Sequence, residues 1–234
     1  MILEGGIDIA TKDRMTDQTG RFQYCVQADG TAAIFSCLER VPELQIPEYL
    51  DDLKVTTLLS GAIEQEECEI VHIPVTVSKI EEAAFMADNI KEVVVDERNP
   101  WFRTLDGVLL ETGTGTLIYC PPDASTAEFR APAGVRSIGE FAFSCCSNLR
   151  QIVLPEGVTE IRHGAFEQCE NMTDLYIPSS VAYIGTQAFD DCSKLTLWVH
   201  NDCYHRIWGY FRENPDLNFE LVNEEPDFFR VVGI

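Results

Sequence analysis

Basic side chains are scarce in this 234-residue chain: 17 lysines and arginines stand against 39 aspartates and glutamates, a formal charge of −22. A nucleic-acid partner needs cations to displace phosphate counterions, and so does binding to an anionic membrane surface, so neither is expected. The acidic surface is read as a solvated one, with a basic partner or loosely held calcium as the alternative; no stretch follows the spacing of a calcium loop. Long apolar runs are also missing. None approaches the roughly 18 residues that span a bilayer, so no membrane insertion is expected. The opening "MILEGGIDIATKDRMTD" puts Glu4 and Asp8 where the apolar core of a signal peptide would lie. It lacks an early basic cluster, and no secretion signal is read there. The nine cysteines are an odd number without C-x-x-C spacing, and Cys145 and Cys146 are adjacent. That pattern fits neither a full set of disulfides nor a zinc site; it favours reduced thiols and a cytoplasmic setting.

What is present is a repeat. "PAGVRSIGEFAFSCCSNLRQIVL" from Pro132, "PEGVTEIRHGAFEQCENMTDLYI" from Pro155 and "PSSVAYIGTQAFDDCSKLTLWVH" from Pro178 align without gaps at a period of 23 residues. The columns include Val135, Val158 and Val181, and Ala142, Ala165 and Ala188. The strongest candidates for a repeated core are Ile138, Ile161 and Ile184; Phe143, Phe166 and Phe189; and Cys146, Cys169 and Cys192. In each unit a strand such as "LRQIVLP" alternates apolar and polar residues, a shorter extended piece follows, and "GAFEQCENM" has apolar residues at helical spacing. One unit cannot bury its own apolar face, whereas stacked units can. The expectation is an α/β solenoid, a stack of short strands and short helical turns.

Upstream the pattern continues with wear, through Val77, Ile80, Ala84 and Phe85, with Asp88 in the cysteine slot, and through Val55, Leu58, Ala62 and Ile63. Five units are counted. The plan is a flexible N-terminus over 1–20 and a single solenoid domain over 21–222. Within that domain, 21–45 form an N-terminal cap with a hairpin at Asp29–Gly30, and 46–95 are degenerate repeats. An inserted hairpin at 96–131 carries turn signals at Asp106–Gly107 and 112–115. Regular repeats fill 132–200, and 201–222 cap the stack with a helix begun by Asn201 or Asp202. That helix would cover the terminal layer with Tyr204, Ile207, Trp208 and Phe211. The acidic tail, 223–234, is expected to be loose, with Phe228 and Phe229 able to dock.

The column set I-G-x-x-A-F-x-x-C-x-x-L, preceded by I-P-x-x-V, resembles BspA-type leucine-rich repeats. The insertion "DGVLL…TLIYCPP" and the N-terminal "FQYCVQADGTAAI" resemble features of such arrays as well. The likeness runs from about Arg21 to Val222. It implies a solenoid fold, no shared catalytic residues, and a role like that of bacterial or protist surface proteins that bind host or matrix partners.

His163, six positions before Cys169, is the pair that most resembles catalytic or metal-binding chemistry. Cys169 shares its column with two other cysteines, which points to a small buried side chain. The column of His163 holds Glu140 and Thr186, so it varies and faces solvent. His200 and His205 around Cys203 fall on different faces of a helix start and do not suit a metal. "GTGT" at 113–116 lacks the helix and lysine of a phosphate loop. No catalytic residue, metal, cofactor or small-molecule substrate is expected.

The favoured function is a non-catalytic protein-interaction module. Its face would be the outward residues of the ribbon: Glu128, Arg130, Gln151, Val153, Asp174 and Tyr176. Cross-strand packing is the plain alternative for Val153 and Tyr176. A cell-surface adhesin for host or matrix proteins is the second reading, and a cysteine-dependent enzyme the minor one.

Overall fold

Stacking at a fixed period turns the chain into three ladders. In the computed structural model, residues 14–122 and 127–230 are described. The first ladder is a ribbon of parallel strands, Glu128–Arg130, Gln151–Val153, Asp174–Ile177, Thr196–His200 and Asn218–Val222, paired in that order. Phe129, Ile152, Leu175, Leu197 and Phe219 stand in register along it. The first four of them are buried, because alternate residues of a strand face the interior. The second ladder joins Thr116–Tyr119, Ser137–Ile138, Glu160–Ile161 and Tyr183–Ile184, again in parallel.

The third side differs from expectation. The "GAF" segments form no helix; their amides are shared between neighbouring turns. Phe141, Phe143 and Cys145 donate N–H to the carbonyls of His163, Ala165 and Glu167 at 3.1, 2.8 and 2.9 Å. One turn on, Gly164, Phe166 and Gln168 donate to Thr186, Ala188 and Asp190. The intervening Ala165 and Glu167 close back on Arg162 and Gly164 within their own turn. This alternation needs left-handed residues four apart: Phe141 and Cys145 at φ 54 and 60°, Gln187 and Asp191 at 59 and 58°. Such conformations cost L-residues about 1 kcal/mol each, and the inter-turn bonds offset it. Gly164, at φ 57°, has a second constraint, since a Cβ there would lie 2.5 Å from the Phe141 ring. Apolar spacing alone cannot separate this ladder from a helical turn, because both place Phe166 and Cys169 inside.

Inside the third ladder the phenylalanines stack. Phe143 and Phe166 have centroids 5.2 Å apart, and Phe166 and Phe189 5.6 Å. The cysteine column runs beside them, with Cys169 Sγ donating to the Phe143 carbonyl at 3.0 Å and Cys192 Sγ to that of Phe166 at 2.9 Å. A thiol fits this slot because it is apolar in bulk and still offers a weak donor to a buried carbonyl. Ile138, Phe143, Cys146, Ile161, Phe166, Cys169, Ile184, Phe189 and Cys192 are all buried in one cluster.

The N-terminal part repeats the scheme with shorter ladders. Phe22–Val26 and Ala32–Cys37 form a hairpin, and Ala32–Cys37 pairs in parallel with Leu53–Leu58. A separate ribbon joins Glu43–Gln45, Ile70–Ile73 and Glu92–Val95. The segment expected to be flexible through residue 20 is already tied down at Met15–Thr16, which pairs with Phe22–Val26. Asp17 anchors it: the buried carboxylate accepts the amides of Thr19, Arg21 and Phe22 at 3.0, 2.8 and 2.7 Å, and the Thr19 hydroxyl. Residues 1–13 of that segment lie outside the described residues.

The insertion is more than a hairpin. Phe102–Leu105, Val108–Glu111 and Thr116–Tyr119 make an antiparallel meander, and the last strand then enters the second ladder. Glu128–Arg130 enters the ribbon, so the strands Thr116–Tyr119 and Glu128–Arg130 add one rung to each of the two parallel ladders. The meander is a septum between two cores. Leu109, Ile118 and Tyr119 pack with the N-terminal cluster, and Val108, Leu110, Leu117 and Cys120 with the C-terminal one. On the N-terminal side of the septum Tyr119 stacks on Phe85 at 4.7 Å.

At the far end the helix Asn201–Glu213 closes the stack. Its cap is His200, whose Nδ1 accepts the Asp202 amide at 3.2 Å, rather than Asn201 or Asp202. Cys203, Ile207, Tyr210 and Phe211 are its buried residues; Trp208 is exposed. Tyr210 meets Phe189 edge-on at 5.8 Å and ends the ring stack. Among the described residues no helix is long and apolar enough to cross a membrane.

Candidate interaction surface

The pleat of the ribbon leaves two outward rows. One is Glu128, Gln151, Asp174, Thr196 and Asn218; the other is Arg130, Val153, Tyr176, Trp198 and Glu220. All six residues expected on a binding face therefore lie on these two rows. Gln151 Nε2 and Trp198 Nε1 both donate to Asp174, at 3.2 and 2.9 Å, which ties the rows together.

Val153 and Tyr176 are not exposed as expected: they are 6% and 5% accessible. Their cover is the chain's own C-terminal segment, which is not loose: Phe229 docks, as the alternative expectation for the tail has it. Phe229, 1% accessible, packs on Val153 and Tyr176, with Trp198 and Val222 alongside. Arg130 holds the segment, donating to Glu225 Oε2 and Oε1 at 3.2 and 2.8 Å and to the Phe229 carbonyl at 2.7 Å. The expected docking of Phe228 concerns a side chain outside the described residues, as do residues 231–234. Trp198 was missed by the gapless alignment, which places it opposite the inward Leu175. The observed register pairs Tyr176 with Trp198, a spacing one residue shorter. A slip of one residue reverses the face of every side chain, so the indole turns outward.

The other candidates have structural partners. His163 Nδ1 lies 2.9 Å from the Thr186 hydroxyl, and its ring meets Phe141 edge-on at 5.0 Å, so it is half-buried. Hydrogen bonding to Cys192 and burial push the Cys169 thiol far above its usual range, the opposite of what a nucleophile needs. Burial likewise raises Cys37 and Cys203 to about 11. Where the two halves meet, burial and then the charge of Glu82 raise the Glu140 carboxyl. Arg162 binds Glu82 at 2.5 Å across that junction. Among the described residues no three histidine, cysteine or acidic side chains converge to hold a metal.

A parallel ladder repeated at a fixed period, closed by a helix at one end and a hairpin at the other, defines a repeat solenoid. The chain belongs to the BspA type leucine rich repeat family, whose model matches residues 31–101 and 120–213 in six copies. The column pattern by itself resolves five units. A leucine-rich repeat protein from Eubacterium ventriosum aligns with 17% identity over 80% of this chain and 73% of its own, at a TM-score of 0.52. A leucine rich cell surface protein from Faecalibacterium prausnitzii aligns with 16% identity over 91% and 96%, at 0.49. Comparison with curated protein sequences finds no match.

Proposed function

We propose that the protein is a non-catalytic interaction module that binds a protein partner through the ribbon spanning residues 128–222. One observation carries the reading. The outward row Arg130, Val153, Tyr176 and Trp198 offers apolar and aromatic surface next to a cation, and a peptide segment lies on it. Aromatic side chains and arginine are the types that dominate protein-interface energetics. The row Glu128, Gln151, Asp174 and Thr196 runs beside it and supplies polar contacts. The raised Cys169 thiol, turned inward onto the Phe143 carbonyl, supports a structural rather than a chemical role for Cys169. Photo-crosslinking amino acids at Glu128 and Gln151 should capture the same partner in native cells, while one at Tyr183, exposed on the second ladder, should not. Capture from Tyr183 alone would place recognition on the wrong face and end this reading.

A further inference from the structure

Two side chains fix the position of the segment on the ribbon. Glu225 meets the Arg130 guanidinium with both carboxylate oxygens, and Phe229, four residues later, is buried on Val153 and Tyr176, its centroid 6.4 Å from the tyrosine's. A single turn sets their spacing, with the Phe229 amide bonded to the Pro226 carbonyl at 3.0 Å. Beside the segment a cleft of about 620 Å³ stays open, bordered by Pro132, Pro155, Glu156 and His200. Among the described residues the seat is thus larger than what fills it. Closing the site also costs the conformational entropy of ordering the stretch from Glu224 to Phe229, which favours displacement by a competing ligand.

We propose that Arg130, Val153, Tyr176 and Trp198 form a recognition site for an acidic peptide that carries glutamate four residues before phenylalanine, and that the chain's own C-terminal segment keeps this site closed in cis. The inference rests on the ribbon being the interaction face, and it adds the partner's chemistry and the means of regulation. The segment itself supplies the template. Arg130 selects a carboxylate with paired donors, and the apolar row selects the ring. The net charge of −22 disfavours a free acidic peptide, whereas the tether gives the cis segment a high effective concentration. A partner therefore competes only when it brings further contacts, for which the open cleft leaves room, or when the segment is released.

The test uses the full chain with Glu225→Gln and Phe229→Ala together, and a fluorescein-labelled peptide of the sequence of residues 223–230. Fluorescence anisotropy at about 0.15 M salt keeps surface charge at physiological screening. The double variant should bind the peptide about tenfold or more tightly than the unaltered chain. A peptide with alanine in place of the second phenylalanine should not bind. Adding Arg130→Gln to the double variant should abolish binding without moving its thermal transition. Equal affinity of the two chains for the peptide, or binding to neither, would overturn the proposal. So would a concentration-dependent dimer of the unaltered chain that is lost in the double variant, since the occupant would then be a second copy's segment. Crosslinking from Glu128 and Gln151 reads the interaction face by a separate route, so its success alongside a failed peptide assay would sink the latch alone.

Discussion

The regular turns over 132–200 and the worn turns over 46–95 build the same solenoid from different amounts of repetition. In the regular part three phenylalanines stack in sequence, and the cysteine column bonds to carbonyls of the preceding turn. In the worn part Phe85 has one stacked ring, Tyr119 from the insertion, and Asp88 stands where a cysteine would. Both parts nevertheless bury their valine, isoleucine and alanine columns completely or nearly so: Val55, Ala62, Val77 and Ala84 match Val135, Ala142, Val158 and Ala165. Inward columns are what stacking demands; the rest can drift. The outward rows drifted furthest. Gln45, His72 and Val94 form a mixed row on the N-terminal ribbon, with His72 Nε2 2.7 Å from Glu43. The corresponding C-terminal row is the one with Val153, Tyr176 and Trp198, and among the described residues a peptide segment lies down only there.

The sharpest way to break this comparison is to remove one ring from each part. Phe166→Ala should cost about 3–5 kcal/mol in urea unfolding, as deletion of a fully buried ring does. Phe85→Ala should cost about 1 kcal/mol less, because it forfeits one stacking partner instead of two. Equal losses would mean that the ring stack contributes nothing beyond burial.

A smaller effect tests the N-terminal end. Asp17→Ala should cost about 2 kcal/mol at neutral pH, since it removes a charged acceptor from three backbone amides, that of Phe22 buried. Burial works to raise this carboxyl, but the Thr19 hydroxyl and the three backbone amides prevail and hold it below its usual value. A lowered folded value means that the stabilisation is present above the ordinary carboxylate range and is lost as pH falls through the folded value. Urea titrations of both proteins should therefore converge in acid. A difference that persists unchanged at low pH would rule out the charge as its source.

The smallest expected effect concerns the cysteines. Cys169→Ala should cost about 1 kcal/mol, the worth of one hydrogen bond. Under native conditions an alkylating reagent should reach the half-exposed Cys145, while Cys146, Cys169 and Cys192 react only after denaturation. Rapid native labelling of Cys169, followed by mass spectrometry, would show that the regular turns open more readily than the worn ones.

Much of this was legible in the residues, because each repeat carries its own instructions. The period of 23, the Val, Ile, Ala and Phe columns, the hairpin at Asp29–Gly30 and the helix after His200 are local signals, each readable within one or two turns of chain. The third side was misread because a left-handed residue every fourth position and a helical turn present the same apolar spacing. Their difference lies in which amides bond across turns, and side-chain pattern does not encode that. The Trp208 error has a similar origin: an apolar stripe on a helix does not say which neighbour meets it, and the Phe189 ring selected Tyr210.

By itself the sequence determined that the chain stacks, at what period, and with which columns inward, since burying a repeated apolar face requires nothing beyond the neighbouring turn. Tertiary structure alone decided the fate of the outward surface. The single-residue change of register that turns Trp198 out, and the return of Phe229 to Tyr176 across 53 positions of chain, depend on shapes and charges that meet only after the solenoid has formed.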